Sequence, residues 1–178
     1  MRTSPGLTDG NACRQAAYVA REAVKDERTG TIYNFAHREA PAWCEVLLPP
    51  GSSPGIATVA GLATAMELSE NRKNSQTARE FVLALPANRE VSHGDRVELL
   101  RSFAQANFVD RGLGAIVAIH QPHPKLKGKA ADLDSPTANV HAHVLVTTRY
   151  ITGAALGAKA RDLQPEVRRG AGGKSFVT

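Results

Sequence analysis

The sequence predicts an α+β fold, in which short strands and two or three helices share one hydrophobic core. Two runs rich in β-branched residues, GAIVAIH at 114–120 and VHAHVLVTT at 140–148, are typical of buried strands. A third segment, from Ser92 onward, has the start signal and the apolar spacing of an amphipathic helix. With 178 residues, 42% of them hydrophobic, the chain is long enough to bury a core of its own.

The first elements are predicted from composition and from turn residues. The alanine-rich segment NACRQAAYVAREAV at 11–24 favours a helix, with Asn11 as its N-cap. A turn at 28–30, Arg-Thr-Gly, then leads into a short strand. The segment AWCEVLLPP at 42–50 predicts a second strand, which its Pro-Pro pair ends.

The middle of the chain is predicted to form a helix, a strand and a second helix. Residues 57–79 predict an amphipathic helix, and FVLALP at 81–86 predicts a short strand. Ser92 and Asp95 have the spacing of a capping box at the start of the next helix, and Gly112 supplies its stop. The apolar residues on one face of that helix are Val97, Leu100, Ala104 and Phe108.

The organisation of the chain is simple. We expect a single domain over 1–178, in which residues 1–10 have no strand pattern and residues 152–178 form a basic, glycine-rich tail. Cys13 and Cys44 fit no CxxC pattern and indicate reduced thiols. No apolar run reaches the roughly 18 residues of a membrane span, and no signal peptide is recognisable, so we expect a cytoplasmic protein. The net charge of +5 is compatible with a polyanionic partner without requiring one.

Three histidines form the most informative pattern. His141 and His143 lie two residues apart in a predicted strand, so their side chains point to the same face. His120 ends the preceding strand, and pairing of the two strands would bring it beside them. Three imidazoles with open coordination positions are typical of a catalytic metal site rather than a closed structural one. The alternatives are a solvent-facing pair of polar residues, and His123 in the following loop as the third ligand.

Other folds that use two histidines in a strand fit this sequence less well. A cupin requires a glutamate four or five residues after the pair and a later histidine, whereas VLVTTR follows here. A two-histidine phosphodiesterase requires two separate HxT or HxS motifs, and the sequence has neither.

An ordered set of motifs resembles the relaxase, or DNA-nickase, domain of the MobA/MobL family of plasmid mobilisation and conjugal-transfer proteins, especially its TraA-like members. The motifs span about residues 12–170 in the family's order: AAYVAREAVKDERTG, WCEVLLPPGS, MELSENRKNSQTAREFVLALP, RSFAQANFVDRGLGAIVAIHQP, NVHAHVLVTTR and GAKARDLQPEVRRG. The resemblance implies a central antiparallel β-sheet flanked by helices, of the histidine-hydrophobe-histidine (HUH) endonuclease type.

Residue roles follow from the same resemblance. Tyr18, in AAY, takes the position of the family's nucleophile, and the three histidines at 120, 141 and 143 match its metal-binding histidines. An acidic residue after the ALP strand is also implicated in the family; Glu90 is the best positional match and Glu80 is the second choice. The implied cofactor is a divalent metal ion, Mn²⁺, Mg²⁺ or Zn²⁺.

The implied substrate is single-stranded DNA at an origin of transfer, with relaxosome accessory proteins as further partners. A basic groove would hold such DNA through its phosphates and through stacking contacts. The candidate DNA-binding cations, which otherwise form a solvated tail, are Arg149, Lys159, Arg161, Arg168 and Arg169. Lys125, Lys127 and Lys129 either line the loop beside the histidines or are simply solvated.

The predicted function is metal-dependent, site- and strand-specific nicking and religation of DNA through a phosphotyrosyl intermediate. Tyrosine suits this chemistry because the phosphotyrosine keeps the bond energy for resealing. The family's first strand has no counterpart in MRTSPGLTDG, which leaves open a truncated, catalytically inactive remnant that binds single-stranded DNA. A metal-dependent hydrolase without a covalent intermediate is the third reading, and Tyr18 separates it from the first.

Overall fold

The computed structural model describes residues 11–72, 75–121 and 139–161, together with the backbone of four short strands beyond them. Three α-helices are present in these ranges: α1 (Ala12–Ala20), α2 (Val59–Leu68) and α3 (His93–Asn107). The strands are β1 (Ala23–Lys25), β2 (Ile32–Asn34), β3 (Trp43–Leu47), β4 (Ala78–Ala84), β5 (Ala115–His120), β6 (Lys125–Leu126), β7 (Lys129–Ala130), β8 (His141–Thr147), β9 (Arg149–Thr152), β10 (Ala155–Lys159), β11 (Val167–Arg169) and β12 (Ser175–Val177). Residues 1–10 lie outside the described residues, as do the side chains of His123, Lys125, Lys127, Lys129, Arg168 and Arg169.

A four-stranded antiparallel sheet in the order β3-β5-β8-β4 forms the centre of the fold. Its two middle strands are the two β-branched runs, and every residue of β5 is buried. Such strands are hydrophobic throughout because helices cover both faces of the sheet. The structure therefore confirms the α+β prediction and both predicted central strands.

Alternate residues of the central strands serve two separate hydrophobic clusters. Ile116, Ala118 and Leu145 face α1 and α2, whereas Val117 and Val144 face α3. The period of two in a strand places neighbouring residues on opposite faces, so one sheet supports a helix layer on each side. The last residues of β5 and the first residues of β8 lie at one end of the sheet, beside the C-terminal end of α1.

Helix α1 begins as predicted and ends earlier than predicted. The Asn11 side chain accepts a hydrogen bond from the Arg14 backbone N–H at 3.0 Å, which confirms the N-cap. The helix stops after Ala20 because Arg21 adopts the left-handed conformation, with φ 57° and ψ 42°. The expected continuation to residue 24 is wrong, because Ala23–Lys25 instead form β1 and pair with β2.

Helix α2 is also shorter than the predicted helix over 57–79. It ends at Leu68, where the Ser69 hydroxyl donates to the Met66 carbonyl, and by residue 78 the chain has become β4. Pairing of β4 with β8, from Ala78 opposite Thr147 onward, satisfies the backbone of a segment whose amphipathic pattern also suits a helix. Long-range pairing therefore outweighs the local pattern here.

Helix α3 matches its prediction closely. Ser92 Oγ accepts a hydrogen bond from the Asp95 N–H at 3.1 Å and donates to the Asp95 carboxylate at 2.6 Å. Leu100, Ala104 and Phe108 are buried against the sheet, on the expected face. A turn of 3-10 helix follows α3, and the positive φ of 84° at Gly112 closes it.

After β8, residues 149–159 form two further strands, so the described beginning of the tail predicted from residue 152 has regular structure. β9 and β10 form an antiparallel hairpin, in which Leu156 pairs with Ile151 and Gly153 turns the chain with φ 66°. Both side chains pack against the cluster shared by α1 and α2. In the described part of the chain, no helix has the length and apolarity that crossing a membrane requires.

Candidate active site

Strand register brings the three histidines together at one end of the sheet. His120 lies directly opposite His141, and Ala118 lies opposite His143, so all three rings share the face covered by α1. The ring centroids are 4.5 Å apart for His120 and His143, 5.0 Å for His141 and His143, and 5.5 Å for His120 and His141. One nitrogen from each ring lies within 4.8 Å of one from each of the others. We call these residues the histidine triad.

Backbone carbonyls orient two members of the triad. Nε2 of His120 lies 2.8 Å from the Val19 carbonyl, and Nδ1 of His141 lies 3.0 Å from the Asn139 carbonyl. A carbonyl only accepts hydrogen bonds, so the nitrogen beside it carries the proton. The opposite nitrogen of each ring, Nδ1 of His120 and Nε2 of His141, keeps its lone pair. The Val19 carbonyl is one of the unpaired groups at the end of α1, so the helix end and the ring satisfy each other.

A carboxylate orients the third member of the triad. Nδ1 of His143 lies 2.6 Å from Oε1 of Glu80, and both side chains are largely buried. The remaining nitrogen, Nε2, is buried and has no hydrogen-bond partner among the described residues. A carboxylate behind a histidine is the arrangement that commonly holds metal-binding imidazoles in place. The orphaned nitrogen and its two neighbours therefore fit a divalent ion that accepts nitrogen ligands.

The electrostatics of two members of the triad favour neutral rings. Burial lowers the pKa of His120 to about 4, and its hydrogen bond to the Val19 carbonyl only partly offsets that effect. Burial also lowers the pKa of His141, again against a backbone hydrogen bond. A neutral imidazole has the lone pair that a metal ion needs, so His120 and His141 are in their ligating form at neutral pH.

Tyr18 lies over the triad from the last turn of α1. Its ring centroid is 5.8 Å from that of His143 and 6.2 Å from that of His120, in edge-on contacts. The helix packs on β5 and β8 through buried neighbours such as Ala17 and Val19. The expectation that the first helix crosses the sheet near the histidines is therefore confirmed.

The acidic side chain that contacts the triad is Glu80, the second choice from the sequence. Glu80 lies on the same face of β4 as Val82, which is directly opposite His143. Glu90 is ten residues further along, in the turn after β4, where its carboxylate accepts a hydrogen bond from the Ala87 N–H at 2.9 Å. Strand register decides which side chain reaches a histidine, and it brings Glu80 against His143, whereas the Glu90 carboxylate bonds within its own turn.

Arg21 is a neighbour of the triad that sequence reasoning missed. Its guanidinium carbon lies 4.1 Å from the Tyr18 ring centroid, and Nη2 lies 3.2 Å from Nδ1 of His120. An open cleft of about 490 Å³ adjoins it, lined also by His37 and Arg38. Spacing gave no signal for this residue, because the left-handed turn after α1 places the side chain there.

Two of the candidate DNA-binding cations are engaged with a buried carboxylate. The Glu70 carboxylate, which is 4% exposed, accepts hydrogen bonds from Nε of Arg149 at 2.9 Å and from Nζ of Lys159 at 3.0 Å. Arg149 also donates to the Gly157 carbonyl at 2.8 Å, so these three charged residues, the Glu70 cluster, tie the β9–β10 hairpin to the end of α2. Arg161 is exposed at the edge of a neighbouring cleft of about 840 Å³. Arg168 and Arg169 fall outside the described side chains.

Comparison with known proteins decides the family. A sequence model of the MobA/MobL family matches residues 11–175. The chain belongs to the MobA/MobL family. Among curated proteins, this MobA/MobL chain is 33% identical over 135 residues to a probable mobilization protein MobA of Bifidobacterium longum, covering 76% of this chain and 21% of that protein.

Two further relatives carry similar names. Mobilization protein MobL of Acidithiobacillus ferridurans is 29% identical over 168 residues, which cover 87% of this chain and 43% of that protein. Conjugal transfer protein TraA of Agrobacterium fabrum is 30% identical over 154 residues, which cover 81% of this chain and 12% of that protein. The chain therefore spans less than half the length of each of these curated relatives.

A solved structure shares the fold. It comes from a study of the molecular basis of vancomycin resistance transfer in Staphylococcus aureus, and it superimposes with a TM-score of 0.68 at 22% sequence identity. The match covers 94% of this chain and 73% of that chain. The architecture is thus the central antiparallel sheet flanked by helices that the resemblance implied.

Proposed function

We propose that this chain is a metal-dependent DNA relaxase domain, which nicks and reseals one strand of DNA at an origin of transfer through a phosphotyrosyl intermediate. The observation that carries the proposal is the position of Tyr18, whose ring lies about 6 Å from two rings of the histidine triad. A metal-binding hydrolase that uses water would not need a tyrosine there. The mobilisation and conjugal-transfer names of the relatives support the same reaction.

The histidine triad would hold the metal ion. Three neutral imidazoles suit Mn²⁺ or Zn²⁺ better than Mg²⁺, which prefers oxygen ligands. When bound, such an ion supplies Lewis-acid polarisation of a phosphate and offsets negative charge on its non-bridging oxygens. Glu80 orients His143 through the 2.6 Å hydrogen bond, and the carbonyl of Val19 does the same for His120.

Tyr18 would act as the nucleophile. Its phenolic oxygen forms a bond to phosphorus while the bond from phosphorus to the departing sugar oxygen breaks. One phosphoester bond forms and one breaks, so the number of phosphoester bonds does not change. The phenol gives up its proton, and the sugar oxygen gains one. Because the bond energy is kept in the phosphotyrosine, resealing is the reverse reaction. Contacts of Tyr18 with Phe35 and with the triad hold the ring edge-on over the site.

The proposed partner is single-stranded DNA, with relaxosome accessory proteins as further partners. The net charge of +5 suits a polyanion. Arg161 is the exposed cation among the described candidates, whereas Arg149 and Lys159 share the buried charge of Glu70. We therefore propose that Arg161 contacts DNA directly and that Arg149 and Lys159 mainly position the hairpin that precedes it.

The test is adduct formation. The chain is incubated with Mn²⁺ and single-stranded DNA covering the origin of transfer of the replicon that encodes it, and covalent protein–DNA complexes are separated on denaturing gels. We expect an adduct with the unmodified chain and none with Tyr18→Phe, which keeps the ring and removes the oxygen. Tyr33→Phe, the matched control on β2, keeps the adduct.

Three other outcomes would contradict the proposal. An adduct with Tyr18→Phe would place the nucleophile elsewhere. Cleavage without any adduct would indicate a metal-dependent hydrolase. Binding of metal and DNA without cleavage would indicate an inactive, DNA-binding remnant.

A further inference from the structure

Arg21 occupies an unusual backbone position beside the proposed nucleophile. Among the described residues it is the one non-glycine residue with a positive φ, and it ends α1 immediately after the turn that carries Tyr18. The left-handed conformation at a helix end is usually taken by glycine, because a side chain there is crowded. Here it directs a long basic side chain back over the last turn of the helix, against the Tyr18 ring.

The guanidinium of Arg21 has no ion-pair partner among the described residues. Nη2 contacts Nδ1 of His120 at 3.2 Å, and the guanidinium carbon lies 4.1 Å from the centre of the Tyr18 ring. Nη1 is buried and makes no hydrogen bond to any described residue. No carboxylate in the described part of the chain forms an ion pair with Arg21. A guanidinium is always charged, and burying one with an unused N–H is costly unless an anion completes the site.

The position of the unused N–H groups matches the place where an anion must bind. Arg21 contacts both the ring of Tyr18 and His120 of the triad, so an anion bound to its N–H groups would lie close to both. The fork of N–H groups on a guanidinium fits two oxygens of one phosphate, which an ammonium group cannot do equally well. A phosphodiester can therefore complete this site, because no described carboxylate forms an ion pair with Arg21, although Glu39 lines the same cleft.

We propose that Arg21 binds the phosphodiester that Tyr18 attacks and stabilises the charge that grows on its non-bridging oxygens. This inference rests on the proposed function. Nη2 contacts the nitrogen of His120 that keeps its lone pair, so a metal ion held there would displace it and leave both Nη groups for the phosphate. Arg21 would then have two states, one against His120 in the free protein and one facing DNA in the complex. Donors aimed at developing charge are among the largest contributions to catalysis.

Three variants separate this role from a structural one. Arg21→Gly removes the guanidinium and places the residue best suited to the left-handed conformation, so the fold is expected to persist. Arg21→Lys keeps the charge and loses the two-pronged geometry. Arg14→Ala, the control, removes the same charge from an exposed site at the start of α1. Circular dichroism and thermal unfolding verify that each variant is folded.

The first measurement is metal affinity without DNA, by isothermal titration with Mn²⁺ or Zn²⁺. Because Arg21 competes for Nδ1 of His120, Arg21→Gly is expected to bind metal at least threefold more tightly, and Arg14→Ala to bind as the unmodified chain does. The second is the rate of adduct formation with saturating DNA and metal. Loss of one such donor costs roughly 100- to 1,000-fold, so we expect a loss of at least 100-fold for Arg21→Gly and an intermediate loss for Arg21→Lys.

The outcomes distinguish the two proposals. An adduct with the unmodified chain and an equal rate with Arg21→Gly overturns the inference about Arg21 and leaves the proposed function intact. Metal affinity that is unchanged or weaker in folded Arg21→Gly overturns the competition for His120. No adduct with the unmodified chain overturns the proposed function, and this inference with it. Partial recovery of Arg21→Gly by added methylguanidinium would support direct phosphate binding.

Discussion

Removing the negative charge beside His143 is expected to weaken metal binding by roughly tenfold, or about 1.4 kcal/mol. Glu80 accepts the Nδ1–H of His143 at 2.6 Å, with side-chain exposures of 15% and 7%, so water screens this contact little. Glu80→Gln keeps an oxygen acceptor and loses the charge. Glu80→Ala also removes the acceptor, and loss of such a partner costs about 10- to 100-fold in affinity, so its effect should approach 100-fold.

The assay is competition with a chromogenic chelator for Zn²⁺ or Mn²⁺ near pH 7.5. Glu90→Gln is the comparison variant, because the Glu90 carboxylate bonds to the Ala87 N–H in a turn, and we expect its metal affinity to equal that of the unmodified chain. Equal affinities for Glu80→Gln and the unmodified chain would refute the reasoning that this carboxylate supports the triad. A loss with Glu90→Gln instead would favour the glutamate that its sequence position suggested.

Two further predictions concern stability, both measured by urea denaturation. Glu70→Gln should lower the free energy of unfolding by about 2 kcal/mol at pH 7, below the usual cost of breaking a buried pair because both cations stay a quarter exposed. Burial raises the pKa of Glu70, but hydrogen bonds from Arg149 and Lys159 outweigh it and hold the pKa below its ordinary 4.5. The Glu70 carboxylate therefore stabilises the fold fully above pH 4.5, and this stabilisation is lost as the pH falls through the lowered pKa, where the two free energies of unfolding should converge. A difference in unfolding free energy that grows in acid would contradict this prediction. Leu100→Ala should lower the free energy of unfolding by about 2–5 kcal/mol, because Leu100 is buried between α3 and the sheet. Leu99→Ala, at an exposed position of the same helix, should change it by less than about 0.5 kcal/mol. Equal effects would show that the Leu100 face of α3 is not part of the core.

Local rules were sufficient wherever one short segment carries the whole signal. The N-caps at Asn11 and Ser92 need only the next three residues, and both were predicted correctly. Alternation within one strand likewise predicts that His141 and His143 share a face, whatever the strand pairs with. The motif order across the chain was enough to predict the family.

Local rules failed where pairing with another strand competes with a helical pattern for the same backbone groups. Residues 21–25 and 69–79 continue helical patterns, but pairing of β1 with β2 and of β4 with β8 gives their backbone groups other partners. The partner of β4 lies far along the chain, so no local window contains the gain from that pairing. The partner of β1 is only one turn away, but helix propensity considered residue by residue does not include the pairing. Both predicted helices were therefore too long at their C-terminal ends.

The amino-acid sequence by itself determined the two central strands, the capped starts of two helices and the histidines that a metal site would need, because these depend on the period of a helix or strand and on the chemistry of single side chains. Tertiary structure alone decided which groups meet at the site. The register of β4 on β8 selected Glu80 over Glu90, the left-handed turn after α1 brought Arg21 to Tyr18 and His120, and the hairpin after β8 placed Arg149 on Glu70. Some of these contacts join residues that are far apart in sequence, and the contact of Arg21 with Tyr18 depends on the backbone conformation of Arg21. Only the packed sheet and helices specify which of these side chains come close to one another.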